Sequence, residues 1–236
     1  MGITPVSYDL ISFDLDGTLV DTADEIAEAA NRALNAHGIP RRPASEITNL
    51  IGAGTRELML KLLQGCFLEQ PGLAGRVRAE DVLASMDEHY AATTGTSATP
   101  YPGCRDTLAN LKIAGVRLAC VTNKEYRHAQ RVLEVSGLDG FFDLLIGGDS
   151  LAEKKPHPSV LRHVARTLGA DIAHMAHLGD SATDVAAARN AGVAAWVVPY
   201  GYNAGVPITE ARPDHIFDSL PLVAEYVLSG RRLSAA

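Results

Sequence analysis

The chain has 236 residues, of which 47% are hydrophobic and 21% charged, and its formal net charge is −7. This length and composition predict a soluble globular protein with one sizeable α/β domain, or a core domain with a small insertion. The acidic balance argues against nucleic acid or an anionic membrane surface as main partner, and a transmembrane helix would need a run of about 18 apolar residues, which is absent.

The first predicted element is a short, mostly apolar strand at residues 8–14, with the sequence YDLISFD. The stretch DLDGTLVDT begins at its end and places Asp14 and Asp16 two positions apart. Two carboxylates about 4 Å apart repel by about 4 kcal/mol at an effective dielectric constant near 20. The sequence therefore predicts that a bound cation offsets this repulsion.

The next long segment contains no convincing strand. Its apolar residues follow helical spacing in four stretches, at residues 24–38, 43–52, 55–65 and 79–95. It ends in TTGTSATPYPG, a composition typical of a hinge. We predict that residues 21–97 form a helical cap domain inserted into a core made of residues 1–20 and 98–236. Asp21, at the entrance to this cap, is predicted to be an N-cap or hinge residue rather than a catalyst.

After the insertion, short apolar runs alternate with helical patterns. The further strands are predicted at residues 117–123, 141–149, 175–180 and 194–199, and the helices between them at residues 104–115, 124–137, 158–170 and 181–192. Strands that are apolar on both faces are typical of a parallel sheet covered by helices. This βαβα order predicts an α/β fold with a Rossmann-like parallel sheet and right-handed crossovers. Ser181 and Gly192 are the expected N-cap and C-cap of the last of these helices.

Polar residues follow several of these strands. In an open α/β sheet, ligands bind beyond the carboxyl ends of the strands. Because those ends share one edge, we expect one crevice to be lined by the polar residues Asp14, Asp16, Thr122, Asn123, Asp180 and Asp184, with Lys154 and Lys155 from the loop before PHP. Of the two lysines, Lys155 is the expected functional one, and Lys154 is expected to be solvated.

The donor set of this crevice favours Mg²⁺ over zinc, because it consists of oxygen atoms without histidine. The predicted ligands are the carboxylates of Asp14 and Asp180 and the backbone carbonyl of Asp16. His177 and His157 are expected to be structural and loop residues respectively. The chain's cysteines are widely spaced and form no C-x-x-C pair, so reduced thiols in the cytoplasm are expected for Cys66, Cys104 and Cys120.

A magnesium ion beside a lysine suits a substrate that carries a phosphoryl group. Asp14 would attack phosphorus and form an aspartyl-phosphate. Asp16 would protonate the leaving alkoxide and then take a proton from the water that hydrolyses the intermediate. Thr122 and Asn123 would hold phosphoryl oxygens, and Lys155 would neutralise the nucleophile and the phosphate together.

Four motifs, DLDGTLVDT, VTN, KKPHP and GDSATD, occur in this order and resemble those of the haloacid dehalogenase (HAD) superfamily. The helical insertion resembles that superfamily's C1-type cap, and the similarity covers essentially the whole chain. The resemblance implies a phosphomonoester hydrolase with the roles given above for Asp14, Asp16, Thr122, Lys155 and Asp180. For Asp184 it implies either a contact to metal-bound water or a brace for Lys155.

Within this superfamily, Asp16 favours phosphoryl transfer, because the dehalogenase branch lacks an acid there. The segments IGAGTREL and PYGYNAGVPITEARPDHIFDSLPLV resemble phosphoglycolate phosphatases, which implies 2-phosphoglycolate as substrate. Two alternatives stay open: a phosphatase for another small phosphomonoester such as a sugar phosphate, and a phosphomutase resembling β-phosphoglucomutase. A non-catalytic sensor of a phosphorylated ligand ranks last, because Asp14, Asp16 and Lys155 are all present.

The cap segment GAGTR has two possible interpretations. Its glycines could simply end one helix and begin another. Alternatively, the helix N-terminus at Gly54 and Thr55 could bind an anion, with Arg56 pairing with the substrate carboxylate through a bidentate contact. We retain Gly54, Thr55 and Arg56 as candidate substrate-binding residues. The expected partner is a small phosphorylated metabolite, and the protein is expected to be a monomer or homodimer.

Overall fold

The structure, a computed structural model, describes residues 7–234 of the chain. Its strands are β1 (Leu10–Phe13), β2 (Val20–Asp21), β3 (Thr99–Pro100), β4 (Arg117–Val121), β5 (Leu144–Ile146), β6 (Met175–Gly179), β7 (Ala194–Val197) and β8 (His215–Ile216). The main sheet has the strand order β5–β4–β1–β6–β7–β8, and its neighbouring strands are parallel. The antiparallel pair β2–β3 lies outside this sheet, where the chain leaves and rejoins it.

The helices fall into two groups, one before and one after β3. Those between β2 and β3 are α1 (Ala23–Ala36), α2 (Ala44–Thr48), α3 (Thr55–Glu69) and α4 (Ala79–Thr93). Those that follow are α5 (Cys104–Ile113), α6 (Tyr126–Val135), α7 (Pro158–Thr167), α8 (Ala182–Ala191) and α9 (Leu220–Ser234). Helix α8 begins after Ser181 and ends at Gly192, which has a φ of 82°, so both predicted caps are confirmed.

Side chains alternate between the two faces of the sheet, and both faces are buried. In β4, Leu118 and Cys120 pack on the face covered by α5, α6 and α9, whereas Ala119 and Val121 pack on the face covered by α7 and α8. A strand with both faces covered favours apolar residues, which explains the buried run LACV after Arg117. The predicted α/β fold with a Rossmann-like parallel sheet is therefore confirmed.

Helices α1 to α4 have a hydrophobic cluster of their own, which includes Leu34, Leu62 and Met86. We call these helices the helical segment. The division of the chain at residues 20/21 and 97/98 stays a prediction, and residues 1–6 and 235–236 of the predicted core lie outside the described residues.

The structure corrects several predicted boundaries. The strand predicted at residues 141–149 is limited to β5, because a short 3₁₀ helix occupies Asp139–Phe141 and glycines follow at positions 147 and 148. Helix α3 continues through Gly65, where a stop was expected. The sequence prediction also missed α9, β8 and the β2–β3 pair. Strands of two residues show no measurable periodicity, and α9 contains Pro221 and a glycine that weaken its helical pattern.

Within residues 7–234, none of the helices combines the length and the apolar character needed to cross a membrane. Cys66, Cys104 and Cys120 are free, as the sequence predicted, and all three are buried.

Candidate active site

Three adjacent strands carry polar residues at their carboxyl ends. Asp14 follows β1, Thr122 follows β4 and Asp180 follows β6, and β1 lies between the other two strands. The Asp14 N–H donates to the Leu178 carbonyl at 2.8 Å, which continues the sheet ladder to the site. Parallel neighbours therefore bring residues that are distant in sequence to one edge, as predicted.

An acidic cluster of three aspartates lies at this edge. Ligand oxygens of Asp14, Asp180 and Asp184 lie within 4.8 Å of one another, and all three residues are buried. The ammonium of Lys155 lies 3.0 Å from Asp14 Oδ1 and 2.7 Å from Asp184 Oδ1. Three buried carboxylates thus share one buried ammonium, which contacts two of them, so negative charge exceeds positive charge in the cluster.

The pKa values of the cluster reflect this imbalance. Burial raises the pKa of Asp14 to about 6. The positive charge of Lys155 opposes this increase, whereas the negative charges of Asp184 and Asp16 add to it. Burial, with the charges of Asp184 and Asp14, holds the pKa of Asp180 well above its ordinary value. Burial alone would lower the pKa of Lys155, but the charges of Asp14 and Asp184 raise it. The cluster therefore favours binding of a proton or a metal cation.

Asp184 has contacts on both carboxylate oxygens. Its Oδ1 contacts Lys155 Nζ and lies 3.2 Å from His177 Nε2, and its Oδ2 accepts from Ser181 N–H at 3.1 Å and Ser181 Oγ at 2.6 Å. Burial would raise the pKa of Asp184, but Lys155 and His177 keep it below the ordinary value. Because each oxygen has two partners, Asp184 has little capacity left for a further ligand.

His177, expected to be structural, supports this arrangement from inside the sheet. Burial lowers its pKa, which favours the neutral ring. Its Nε2–H can then donate to Asp184, while its Nδ1, 2.8 Å from Ser12 Oγ, accepts from that hydroxyl. The sequence shows only a histidine within an apolar strand. It does not reveal that this histidine contacts Asp184 of the following helix.

Asp16 lies beside the acidic cluster but pairs with a different cation. Its Oδ1 accepts from the Thr22 hydroxyl at 2.6 Å and forms an ion pair with the ammonium of Lys124. That ammonium also lies 5.3 Å from the centroid of the Tyr90 ring. Sequence reasoning missed Lys124, because it was assigned to the start of the helix after β4.

A cavity lies between the strand ends and the helical segment. Its lining includes the predicted site residues Asp14, Asp16, Thr122, Asn123, Gly54 and Thr55. The helical segment also contributes apolar side chains, among them Ile26 and Leu58. The cavity therefore has a polar floor at the sheet and a largely apolar roof.

Side chains that follow β4 hold the helical segment against this cavity. Asn123 Nδ2 donates to the carbonyl oxygens of Gly52 and Lys155, both at 3.0 Å. The Thr55 hydroxyl donates to Glu125 at 2.6 Å. Asn123 was expected to hold phosphoryl oxygens. Both hydrogens of its side-chain amide are used by carbonyls here, so that side chain connects the helical segment to the Lys155 loop, and its contact with a phosphoryl oxygen stays a prediction.

Two predicted placements differ from the structure. Lys154 was expected to be solvated, but its ammonium donates to the Ala53 carbonyl at 2.8 Å and ties the loop before α3 to the core. Arg56 does not line the cavity; its side chain is 58% exposed and pairs with Glu80 of α4 at 3.2 Å. Its predicted contact with substrate stays a prediction.

The entrance to the helical segment is fixed by a tyrosine. The Tyr202 hydroxyl accepts from the N–H groups of Thr22 and Ala23 at 2.8 and 3.0 Å, and donates to Asp21 at 2.5 Å. The N–H of Tyr202 donates to Asp180. Asp21 also accepts from the Ala23 N–H at 3.1 Å, but the N-cap of α1 is Thr22, so the predicted N-cap role of Asp21 is wrong and its hinge role stays a prediction.

Comparison with solved structures places these features in a known fold. A crystal structure of a predicted phosphoglycolate phosphatase from Haemophilus somnus is 32% identical, with a TM-score of 0.85, and the match covers 92% of this chain and 97% of that one. The structure of CbbY from Rhodobacter sphaeroides in complex with phosphate is 27% identical, with a TM-score of 0.75 and coverage of 94% and 98%.

Comparison by sequence gives the same relationship. The plasmid-borne phosphoglycolate phosphatase of Cupriavidus necator is 41% identical over 226 residues, which cover 96% of each chain. The phosphoglycolate phosphatase of Vibrio cholerae is 37% identical over 94% of this chain and 98% of its own. Residues 8–192 match the family model of haloacid dehalogenase-like hydrolases. The chain, with its acidic cluster at the carboxyl edge of a parallel sheet, therefore belongs to the haloacid dehalogenase-like hydrolase family.

Proposed function

We propose that the protein is a phosphomonoester hydrolase that converts 2-phosphoglycolate and water into glycolate and phosphate. The observation that carries this proposal is the contact between Lys155 and Asp14 within a buried acidic cluster that opens on a cavity. The substrate is supported by the relatives named phosphoglycolate phosphatases, which are up to 41% identical over nearly the whole chain.

Mg²⁺ is the proposed cofactor, and the residues present fit it. The available donors are carboxylate and carbonyl oxygens, which a hard cation prefers. The Asp180 carboxylate packs against the backbone of Gly17 and Gly201. A Cβ atom added at Gly17 would lie 2.1 Å from Asp180 Oδ2, and one added at Gly201 would lie 2.2 Å from it. Glycine at these two positions therefore makes room for the carboxylate. Asp14, Asp180 and the Asp16 carbonyl are the proposed ligands. When bound, the ion supplies positive charge that neutralises the nucleophile and the phosphate.

Asp184 is proposed to brace Lys155 rather than to bind the metal directly. Its two oxygens already accept from Lys155, His177 and Ser181. The brace holds the Lys155 ammonium against Asp14, where it would also face a phosphate oxygen. Of the two alternatives that the sequence left open for Asp184, we propose the positioning role.

In the first proposed step, an Asp14 carboxylate oxygen attacks phosphorus and the bond from phosphorus to the ester oxygen breaks. Asp16 donates a proton to that oxygen, which leaves as the alcohol of glycolate. Thr122 is placed to donate to a phosphoryl oxygen, because its Oγ1 accepts from the Lys124 N–H at 3.3 Å and keeps its own proton for the cavity. Lys155 offsets the charge of Asp14 as the phosphate approaches.

In the second proposed step, Asp16 takes a proton from water, and the water oxygen attacks phosphorus of the aspartyl-phosphate. The bond between phosphorus and the Asp14 oxygen breaks, which releases phosphate and restores both carboxyl groups to their starting state. The helical segment would close over the site during these steps and open to release products.

Phosphate release from a panel of phosphomonoesters tests the proposed function. We expect kcat/KM to be highest for 2-phosphoglycolate, with sugar phosphates well below it. A higher value for a sugar phosphate would replace the substrate and leave the reaction in place. Conversion of β-glucose 1-phosphate to its isomer without phosphate release would instead identify a phosphomutase.

Asp14→Asn should abolish turnover and leave the fold intact, because the amide is a poor nucleophile of nearly the same volume. We expect kcat to fall by at least about 10³-fold, a loss typical of removing a covalent nucleophile. The matched control is Asp81→Asn on the exposed face of α4, which should retain full activity. Circular dichroism would verify the fold of both variants, and substantial turnover by folded Asp14→Asn would remove Asp14 from the nucleophile role.

Chelation by EDTA should silence the enzyme, and added Mg²⁺ should restore it. Because a cation bound only by the folded protein stabilises it, Mg²⁺ should also raise the thermal midpoint of the wild type. In Asp180→Asn this increase should be smaller at the same Mg²⁺ concentration, since one proposed ligand is weakened. Activity that survives rigorous chelation would contradict the metal assignment.

A further inference from the structure

Lys124 is a buried lysine whose contacts set it apart from the other cations near the site. Its residue is 3% exposed, and its ammonium pairs with Asp16 beside the ring of Tyr90, which is 1% exposed. Glu25 is a buried carboxylate nearby, but its Oε2 is held by the N–H groups of Gly95 and Ser97 at 2.9 and 3.4 Å.

The positive charge of the cavity wall comes from Lys124. Among the described residues that line the cavity, it is the one cationic side chain. The neighbouring cations have other partners: Lys155 contacts Asp14 and Asp184, Lys154 contacts a carbonyl, and Arg56 pairs with Glu80 outside the cavity. A second anionic group inside the cavity would therefore meet Lys124.

We propose that Lys124 binds the carboxylate of the substrate and so selects phosphomonoesters whose alcohol carries an acid group close to the ester oxygen. This inference rests on the proposed function. In the proposed reaction, Asp16 faces the ester oxygen of 2-phosphoglycolate. One methylene group separates that oxygen from the carboxylate of the substrate. Because Lys124 contacts Asp16, both groups of the protein reach the same end of the substrate.

The chemistry of the cavity makes such a partner necessary. Moving a carboxylate from water into a buried site costs several kcal/mol of solvation free energy, which a neighbouring cation can offset. The roof of this cavity includes Ile26, Ile51 and Leu58, which offer no hydrogen bond. An ammonium has three N–H donors, and Asp16 uses one, so Lys124 can contact a second carboxylate at the same time.

Two substrates and one variant test the proposal. Wild type and Lys124→Met are compared on 2-phosphoglycolate and on phosphoglycolamide, in which a neutral amide of similar size replaces the carboxylate. We expect the ratio of the two kcat/KM values to fall about ten- to a hundredfold in Lys124→Met, the loss expected for one hydrogen bond to a charged group, and to fall mainly through KM. Lys61→Met on the exposed face of α3 is the matched control and should keep the wild-type ratio.

Equal losses on both substrates would overturn the proposal, because they would limit Lys124 to positioning Asp16. If Lys124→Met does not fold, the wild type decides: equal kcat/KM for both substrates would overturn the proposal, whereas a preference for 2-phosphoglycolate that is retained by Lys124→Arg would support it. Absence of phosphate release from both compounds by wild-type enzyme would refute the proposed function itself, which is a distinguishable result.

Discussion

Excess negative charge, buried where three strands end, is the constraint on which the rest of the site depends. Asp14, Asp180 and Asp184 share one small volume, and Lys155 contacts two of them. Carboxylates at such separations repel one another strongly when they are buried. The arrangement is stable only if cations accompany it, so it can attract both a metal ion and, through that ion and Lys155, a phosphate group.

The surrounding structure holds these charges in place rather than separating them. Asp184 is fixed by Ser181 at the start of α8 and by His177 inside the sheet. Asn123 binds the carbonyl of Lys155 and that of Gly52, so one side chain connects the ammonium's loop with the helical segment. The position of the helical segment and the position of Lys155 are therefore linked through the same residue. Because these groups are buried, each of their charges would interact more strongly with a substrate than it would in water.

Much of the site could be predicted from the sequence because it depends on topology. Apolar runs predict parallel strands, and residues that follow such strands must meet at one edge, which is why Asp14, Thr122, Lys155 and Asp180 were expected together and are found around one cavity or cluster. The family resemblance added the roles, and the comparisons support the same family over most of the chain.

The remainder depends on side-chain contacts that no local pattern encodes. Lys124 looks like the first residue of a helix, and its pairing with Asp16 exists only in the folded chain. Arg56 was expected inside the cavity because of its neighbours in sequence, but Glu80 on the next helix offers it a partner outside. Lys154 was misjudged for the same reason, since its partner is a backbone carbonyl of the distant loop before α3.

The central claim is that the Asp14 carboxylate accepts the phosphoryl group, and trapping the intermediate tests it most directly. Enzyme mixed with excess 2-phosphoglycolate would be quenched within one turnover, reduced with borohydride to convert an acyl phosphate to homoserine, and mapped by mass spectrometry. We predict homoserine at position 14 in the quenched sample and not in enzyme without substrate. Modification at another carboxylate, or unmodified Asp14 at every time point while phosphate is released, would contradict the account.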